Sequence, residues 1–343
     1  MTQNSTDLTL EQIGKQAGVS RSTVSRVLND HPDVRSEVRA RVKAVIEDTG
    51  YMPNQAARAL VSSRTGLIGL VMLTEVDELF GDPYYSALVK GIQLGCLDHG
   101  LIFSIFPVHG PEGPSDVLTT QIAQGFIDGV IVTAGPRSDR LVSRLRARNK
   151  RLVVVGHPVD DVDVLRVDVE NRAGSATAVK HLLDLGRSRV GFIGPSAEYL
   201  YGTERFDGYK DALAAAGREV DDVLIRFEDP TTEGGYRAAS TILPGDVDAI
   251  HVATDPMAVG VFRSLTERGV RIPHDVAIVG FDGLDRGPQL EPSLTTVVQP
   301  VTEVGRMAVA LLANDSPSTE PIILPTSLRI GGSCGASDFL HNR

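Results

Sequence analysis

The sequence predicts an α + α/β protein, with an all-helical N-terminal head followed by two doubly wound α/β subdomains. Three observations carry this. The first 50 residues hold three segments whose apolar residues recur at helical spacing, with no strand-like run among them. From Gly66 onward, short β-branched runs alternate with helical stretches, the texture of βαβ units built on buried parallel strands. At 343 residues the chain is too long for one small core, so the α/β part is expected to form two subdomains that meet at a cleft.

The head reads as follows. Leu10, Ile13 and Ala17 line one face of a first helix that Gly18 closes. Ser20 stands where an N-cap belongs, opening a second helix through about Leu28 with Val24, Val27 and Leu28 apolar. A third helix begins near Ser36, carries Val38, Val42, Val45 and Ile46 on one face, and stops at Gly50 with Pro53 beyond. Two short helices joined by a Gly-containing turn, with a third completing the core, make a helix-turn-helix. A further short segment, Asn54–Val61, precedes the polar linker Ser62-Ser63-Arg64-Thr65-Gly66.

In the body, strands are expected at 67–73, 100–106, 128–134, 151–156, 189–194, 248–254 and 275–282. A change of phase in the acidic loop Val159–Val164 marks the expected crossing between subdomains. The predicted domains are 1–53 (head), 54–65 (hinge helix and linker), 66–162 with about 292–320 (first subdomain), and 163–291 with about 321–343 (second subdomain).

Charge and composition narrow the function. Nine Lys/Arg against seven Asp/Glu leave residues 1–64 at +2, so the acidic body carries −12 of a chain whose net charge is −10. A mildly basic head on an acidic body is the asymmetry expected when only the head approaches phosphate. No run of 18 apolar residues occurs, and the polar N-terminus lacks the apolar core of a signal peptide. The two cysteines, Cys96 and Cys334, form no CxxC pair, which fits a reducing cytoplasm and gives no zinc site. An enzyme is disfavoured: Gly110–Asp116 is Gly/Pro-rich but lacks the P-loop pattern, no GxSxG or HExxH occurs, and the eight histidines are scattered. No cofactor or metal is expected.

The segment 9–60 resembles the LacI/GalR family of bacterial repressors nearly position for position, above all in AGVSRSTVSRVLN and GYMPNQAARAL. The resemblance continues through VDVENRAG (167–174), ERFDGYKDAL (204–213), MAVGVFRSLTERGVRIPHDVAIVGFD (257–282) and PSLTTVVQP (292–300). It implies subdomains of type I periplasmic-binding-protein architecture and a dimeric DNA-binding transcriptional regulator. The expected activity is repression of carbohydrate or related catabolic genes from a palindromic operator of roughly 14–20 base pairs. A small hydroxylated effector (sugar, polyol or nucleoside) is expected in the cleft. Two alternative readings of the body stand beside this: a sensor of a protein partner or other metabolite, and a pure solute-binding protein, which the DNA-reading head opposes.

For the head, the resemblance implies that Arg21, Ser22 and Arg26 face base edges, because a guanidinium fork can donate twice to guanine. Ser20, Thr23, Ser25 and Asn29 would position the backbone through phosphates. Asn54, Ala57, Arg58 and Leu60 would enter the minor groove, with Leu60 wedged into a central base step. A helix of about eight residues is marginal in water, so this segment is expected to fold only against DNA and its dimer mate. In the body, Arg205 would grip ligand oxygens. Asp282, at the C-terminal end of a predicted strand, would accept from adjacent hydroxyls. Tyr84, Tyr85, His157, Thr254 and Gln299 complete the expected effector contacts. The sequence departs from the family at Thr254 (usually Asn), Pro230 (often aromatic) and Glu170 (usually Asp), and it has no Trp.

Overall fold

A computed structural model describes residues 8–28, 30–52, 64–72, 81–108, 126–133, 135, 141–147, 151–156, 164–242, 245–284, 290–314 and 317–336. The chain divides into two compact units, Met1–Thr65 and Gly66–Arg343.

The first unit contains α1 (Leu10–Ala17), α2 (Arg21–Leu28) and α3 (Ser36–Thr49). Thr9 and Gln12 form a reciprocal capping box at the start of α1, and Gly18 ends it in the left-handed conformation with φ 64°. The turn is tight: a Cβ on Gly14 would stand 2.7 Å from the Val19 carbonyl oxygen. Ile13, Ala17, Val24, Val27, Val42 and Tyr51 are buried together, with Leu10, Leu28, Val38, Val45 and Ile46 packed around them. The apolar faces expected of the three helices therefore converge on one core.

The second unit holds two six-stranded sheets. The first runs β11-β5-β4-β3-β1-β2, from β1 (Leu67–Met72), β2 (Ile102–Pro107), β3 (Gly129–Thr133), β4 (Leu152–Val155), β5 (Leu165–Val169) and β11 (Ile322–Leu324). The second runs β12-β10-β9-β8-β6-β7, from β6 (Val190–Pro195), β7 (Ile225–Glu228), β8 (Ala249–Val252), β9 (Ala277–Asp282), β10 (Thr295–Val298) and β12 (Ser327–Arg329). Every pairing is parallel except β10 with β12. Both sheets thus share one doubly wound order, in which the first strand lies between the second and third.

Alternation along each strand feeds helices on both faces. In the first sheet Ile68, Leu70 and Met72 pack toward α4 (Pro83–His99) and α10 (Val301–Ala313), whereas Val71 and Val132 meet Leu141 and Leu145 of α5 (Leu141–Arg146). In the second sheet Phe192, Val279 and Phe281 face α6 (Asn171–Asp184) and α7 (Leu200–Ala215). Its Ile193, Ile250 and Ile278 face α8 (Thr232–Ser240) and α9 (Asp255–Glu267).

Three allotments differ from the sequence reading. The chain leaves the first sheet after β5, at 169–171, rather than in the loop before it, so 165–169 belongs to the first subdomain. Residues 295–298 join the second sheet, and 322–324 return to the first. A short strand buried on both faces has the same β-branched texture in either sheet, so periodicity cannot allot it.

Helices α4 and α10 cross at glycines: a Cβ on Gly91 would stand 2.0 Å from the Thr302 carbonyl oxygen. Gly91→Val is therefore expected to destabilise the protein by about 1–3 kcal/mol through overpacking. A chemical-denaturation midpoint equal to the parent's would refute this packing.

Candidate functional site

In the head, the Ser20 hydroxyl accepts from the Thr23 backbone N–H at 3.2 Å and lies 2.8 and 2.9 Å from the hydroxyls of Ser22 and Thr23. Ser20 therefore caps α2, the helix expected to read DNA, and these three hydroxyls tie its first turn together. Arg21, Ser22 and Arg26 are exposed, and neither guanidinium bonds to a described residue; Thr23 and Ser25 are half-buried. Their guanidinium forks thus keep their full donor capacity for an outside acceptor. The far end of α2 is held by Arg39, which donates to the Asp30 carboxylate at 2.8 Å and to the His31 carbonyl at 2.6 Å. Asn29, Asn54, Ala57, Arg58, Leu60 and His157 lie outside the described residues.

In the body, one ion pair sits where the two subdomains face each other. Arg205, on α7, and Asp282, the last residue of β9, are 4% and 7% exposed, and Arg205 Nη1 lies 3.1 Å from Asp282 Oδ1. The guanidinium carbon lies 3.7 Å from the centre of the Phe281 ring and 5.0 Å from that of Tyr201, so aromatic faces shield it on the apolar side. Arg205 Nε donates to Asn171 Oδ1 at 2.9 Å, and Nη1 also donates to the Ala253 carbonyl. Nη2 donates to no described residue.

Asp282 adopts φ 128°, a conformation that side-chain-bearing residues rarely hold and that costs on the order of 1–3 kcal/mol. Its carboxylate is fixed by three donors. Oδ1 accepts from Arg205 and, at 2.7 Å, from Gln299 Nε2, while Oδ2 accepts from the Asp255 backbone N–H at 3.1 Å. With about four lone-pair sites on a carboxylate, one remains for a ligand hydroxyl.

The facing wall comes from the first subdomain. Asp82 caps α4 by accepting from the Tyr84 N–H at 2.9 Å, and the Tyr84 and Tyr85 rings meet edge to face at 5.5 Å. Burial raises the Tyr84 hydroxyl above its ordinary pKa, with Tyr85, Asp168 and Asp282 adding to the rise and Arg205 opposing it. Asp82 in turn acts across the gap on Asp282. Tyr84 and Asp82 therefore face the ion pair, as expected of a cleft.

Two of the expected effector contacts also bond within the fold. Thr254 is the N-cap of α9; it is buried, and its hydroxyl accepts from the Met257 N–H at 3.3 Å. Gln299, half-buried, donates through Nε2 to Asp282 Oδ1. Sequence reasoning missed Asn171, Asp168, Glu204, Tyr201 and Asp255. Asn171 and Asp168 lie within the VDVENRAG motif and Glu204 adjoins Arg205, so signals existed; Tyr201 had none. The ring of Tyr199 lies 5.7 Å from that of Tyr201.

Asp255 is fully buried below Asp282, accepting from Thr296 Oγ1 at 2.7 Å and the Leu284 N–H at 3.0 Å. Burial, and then the charge of Asp282, push its carboxyl up to about 8. Burial also raises Asp282, to about 6, against the pull of Arg205. Under Arg205, His251 meets Ser175 Oγ at 2.8 Å through Nε2 and the Val279 carbonyl at 3.1 Å through Nδ1; burial holds it down at about 4.

Residues 9–54 match the bacterial regulatory proteins of the lacI family, and residues 179–334 match the periplasmic binding protein-like domain. The HTH-type transcriptional regulator CelR of Thermobifida fusca is 35% identical over 331 residues, covering 94% of this chain and 97% of the relative. The chain belongs to the LacI family. This LacI-family chain is also 30% identical to the catabolite control protein A of Priestia megaterium over 311 residues, covering 89% and 92% of the two chains. Among solved structures, a CelR–cellobiose complex superposes with TM-score 0.73 at 32% identity, covering 95% of this chain and 99% of that one. The lac repressor dimer bound to operator and the anti-inducer ONPF superposes at 0.77 with 23% identity and equal coverage, which shows the fold. This LacI-family protein is a DNA-binding transcriptional regulator, not an enzyme; among the described residues no His/Cys/Asp/Glu group could hold a metal, and no helix is long and apolar enough to cross a membrane.

The buried carboxylates set a pH dependence. An acid whose folded pKa is raised binds more protons when folded, so stability falls as pH rises toward that pKa. Buried His251, with a lowered pKa, works the other way below pH 6.5. The test window is therefore about pH 6.5–8, where Asp255→Asn is expected to flatten the parent's fall in melting temperature. Parallel curves for parent and variant would exclude Asp255 as the titrating group.

Proposed function

We propose that this regulator is a homodimeric repressor whose affinity for a palindromic operator is set by an uncharged, hydroxyl-rich sugar of the cellobiose class, held between the two sheets. The observation that carries this is the Arg205–Asp282 pair, which leaves Arg205 Nη2 as a donor and about one lone pair on Asp282 as an acceptor. Sugar hydroxyls donate and accept at once, so they match both. The rings of Tyr84, Tyr85, Tyr199 and Tyr201 offer the apolar faces that pyranose C–H groups cover. The relative at 32% identity was solved with cellobiose, which supports this ligand class.

Charge narrows the class further. Asp82, Asp168, Glu204 and Asp282 lie close to Arg205, while Arg329 is engaged by the Gly283 and Leu284 carbonyls, so a phosphate or carboxylate on the ligand would meet several carboxylates. Cellobiose is expected to raise the melting temperature in proportion to RT ln(1 + [L]/Kd), while cellobiose 6-phosphate at equal concentration gives no shift. Equal stabilisation by both would contradict the charge argument, and no response to cellobiose would contradict the sugar reading.

At the other end, Ser20, Thr23, Ser25 and Asn29 hold α2 on the phosphates while Arg21, Ser22 and Arg26 read base edges. Asn54, Ala57, Arg58 and Leu60 enter the minor groove at the centre of the palindrome, each half supplied by one protomer. Such a protein works on the nucleoid in the cytoplasm. Arg26→Ala should cost about 1–3 kcal/mol of operator affinity and relax discrimination at one base pair. Leu60→Ala should lose most specific affinity with cellobiose binding intact. Operator titrations of the two variants that overlay the parent's would remove these contacts.

A further inference from the structure

Three segments carry the chain between the two sheets: 169–171 after β5, 298–301 after β10, and 324–327 between β11 and β12. Any change in the angle between the sheets must be absorbed there, because hinges are a few element-terminal residues whose dihedrals change. At two crossings the central residue lies near the inverse γ-turn conformation, Glu170 with φ −71° and ψ 66° and Pro300 with φ −80° and ψ 58°. Around Pro300 the three-residue bond is made, with the Val301 N–H donating to the Gln299 carbonyl at 2.9 Å.

Each of these turns carries an amide side chain on one member of the buried ion pair. Asn171 Oδ1 accepts from Arg205 Nε at 2.9 Å, and Gln299 Nε2 donates to Asp282 Oδ1 at 2.7 Å. The Asn171 amide nitrogen donates to Asp168 Oδ1 at 3.2 Å, back across the crossing on β5, and to Glu204 Oε2 at 3.1 Å. Asn171 is 3% exposed, so its bonds run in a dry environment where losing a partner is expensive. A primary amide is directional: when the guanidinium or carboxylate it grips is re-aimed, it must follow or break its bond.

We propose that Asn171 and Gln299 are the positioning residues of the switch, two amides at two sheet crossings that convert engagement of the Arg205–Asp282 pair by an effector into a change of angle between the sheets. The proposal rests on the reading of the cleft as an effector site. A hydroxyl that takes the open lone pair of Asp282, or accepts from Arg205 Nη2, acts on the same two groups the amides hold. A ligand shifts an equilibrium only by its different affinity for the two states, and these amides are where that difference reaches the backbone.

The test uses full-length protein and fluorescently labelled operator DNA selected from palindromes, titrated with and without saturating cellobiose. The parent's two operator affinities are expected to differ by a factor within about 5–150. In Asn171→Ala combined with Gln299→Met the sugar-free affinity should stay within about threefold of the parent, while the ratio falls to within about threefold of one. Calorimetry on the variant should still detect cellobiose binding. A ratio equal to the parent's overturns the proposal. So does abolished cellobiose binding, which would make the amides ligand contacts and not couplers. If Asn171→Ala proves unfolded by thermal melt, Gln299→Met alone must at least halve the logarithm of the ratio. A parent that ignores cellobiose would refute the cleft reading; hydrogen exchange of the Val301 amide then decides the proposal without any sugar. It is expected at least about tenfold faster in Gln299→Met, and unchanged exchange overturns it.

Discussion

The structure of the body turns on one buried ion pair. Arg205 and Asp282 are both withdrawn from water, and a buried pair seldom adds net stability, because desolvating two charges cancels much of their attraction. What the pair does is fix geometry. It holds Asp282 in a backbone conformation that a residue with a side chain seldom adopts. It also aims the carboxylate at the cleft and gathers α7, β8, β9, β10 and the crossing at 169–171 onto one hub. A second carboxylate, Asp255, lies directly behind and is raised by the charge of the first, so the hub is tense as well as ordered.

A site of this kind divides labour with the head. The head carries the basic excess and an α2 whose exposed guanidinium groups have no partner among the described residues, whereas the body is acidic and places several carboxylates near Arg205. One unit therefore suits polyanionic DNA, and the acidity of the other supports the uncharged ligand proposed for it. The shared doubly wound order of the two sheets puts the strand ends of both at the cleft, which is where such folds bind ligands.

Much of this was legible in the sequence. The three head helices are short and strongly periodic, with caps at Thr9, Ser20, Gly18 and Gly50, so local chemistry and tertiary core agree. Seven of the strands were readable as apolar runs, and Arg205 and Asp282 do meet at one site. The illegible parts were those decided by long-range geometry. Whether β5, β10 and β11 belong to one sheet or the other depends on crossings, and a doubly buried strand looks alike in both. Thr254, read as a ligand contact, also caps α9, because a hydroxyl just before a helix can accept from a backbone N–H of its first turn. Asn171 sits in a motif visible in the sequence, but its hold on Arg205 spans 34 positions and no spacing rule reaches that far.

In the proposed switch it is the guanidinium fork of Arg205, and not its charge alone, that passes occupancy of the cleft to the DNA-binding end. The most direct measurement is the operator affinity of Arg205→Lys across a cellobiose titration. Lysine keeps the positive charge beside Asp282 but cannot bond Asn171, Ala253 and Asp282 at once. Sugar should no longer shift the operator affinity of this variant. A shift of the parent's size, at the parent's sugar concentrations, would contradict it.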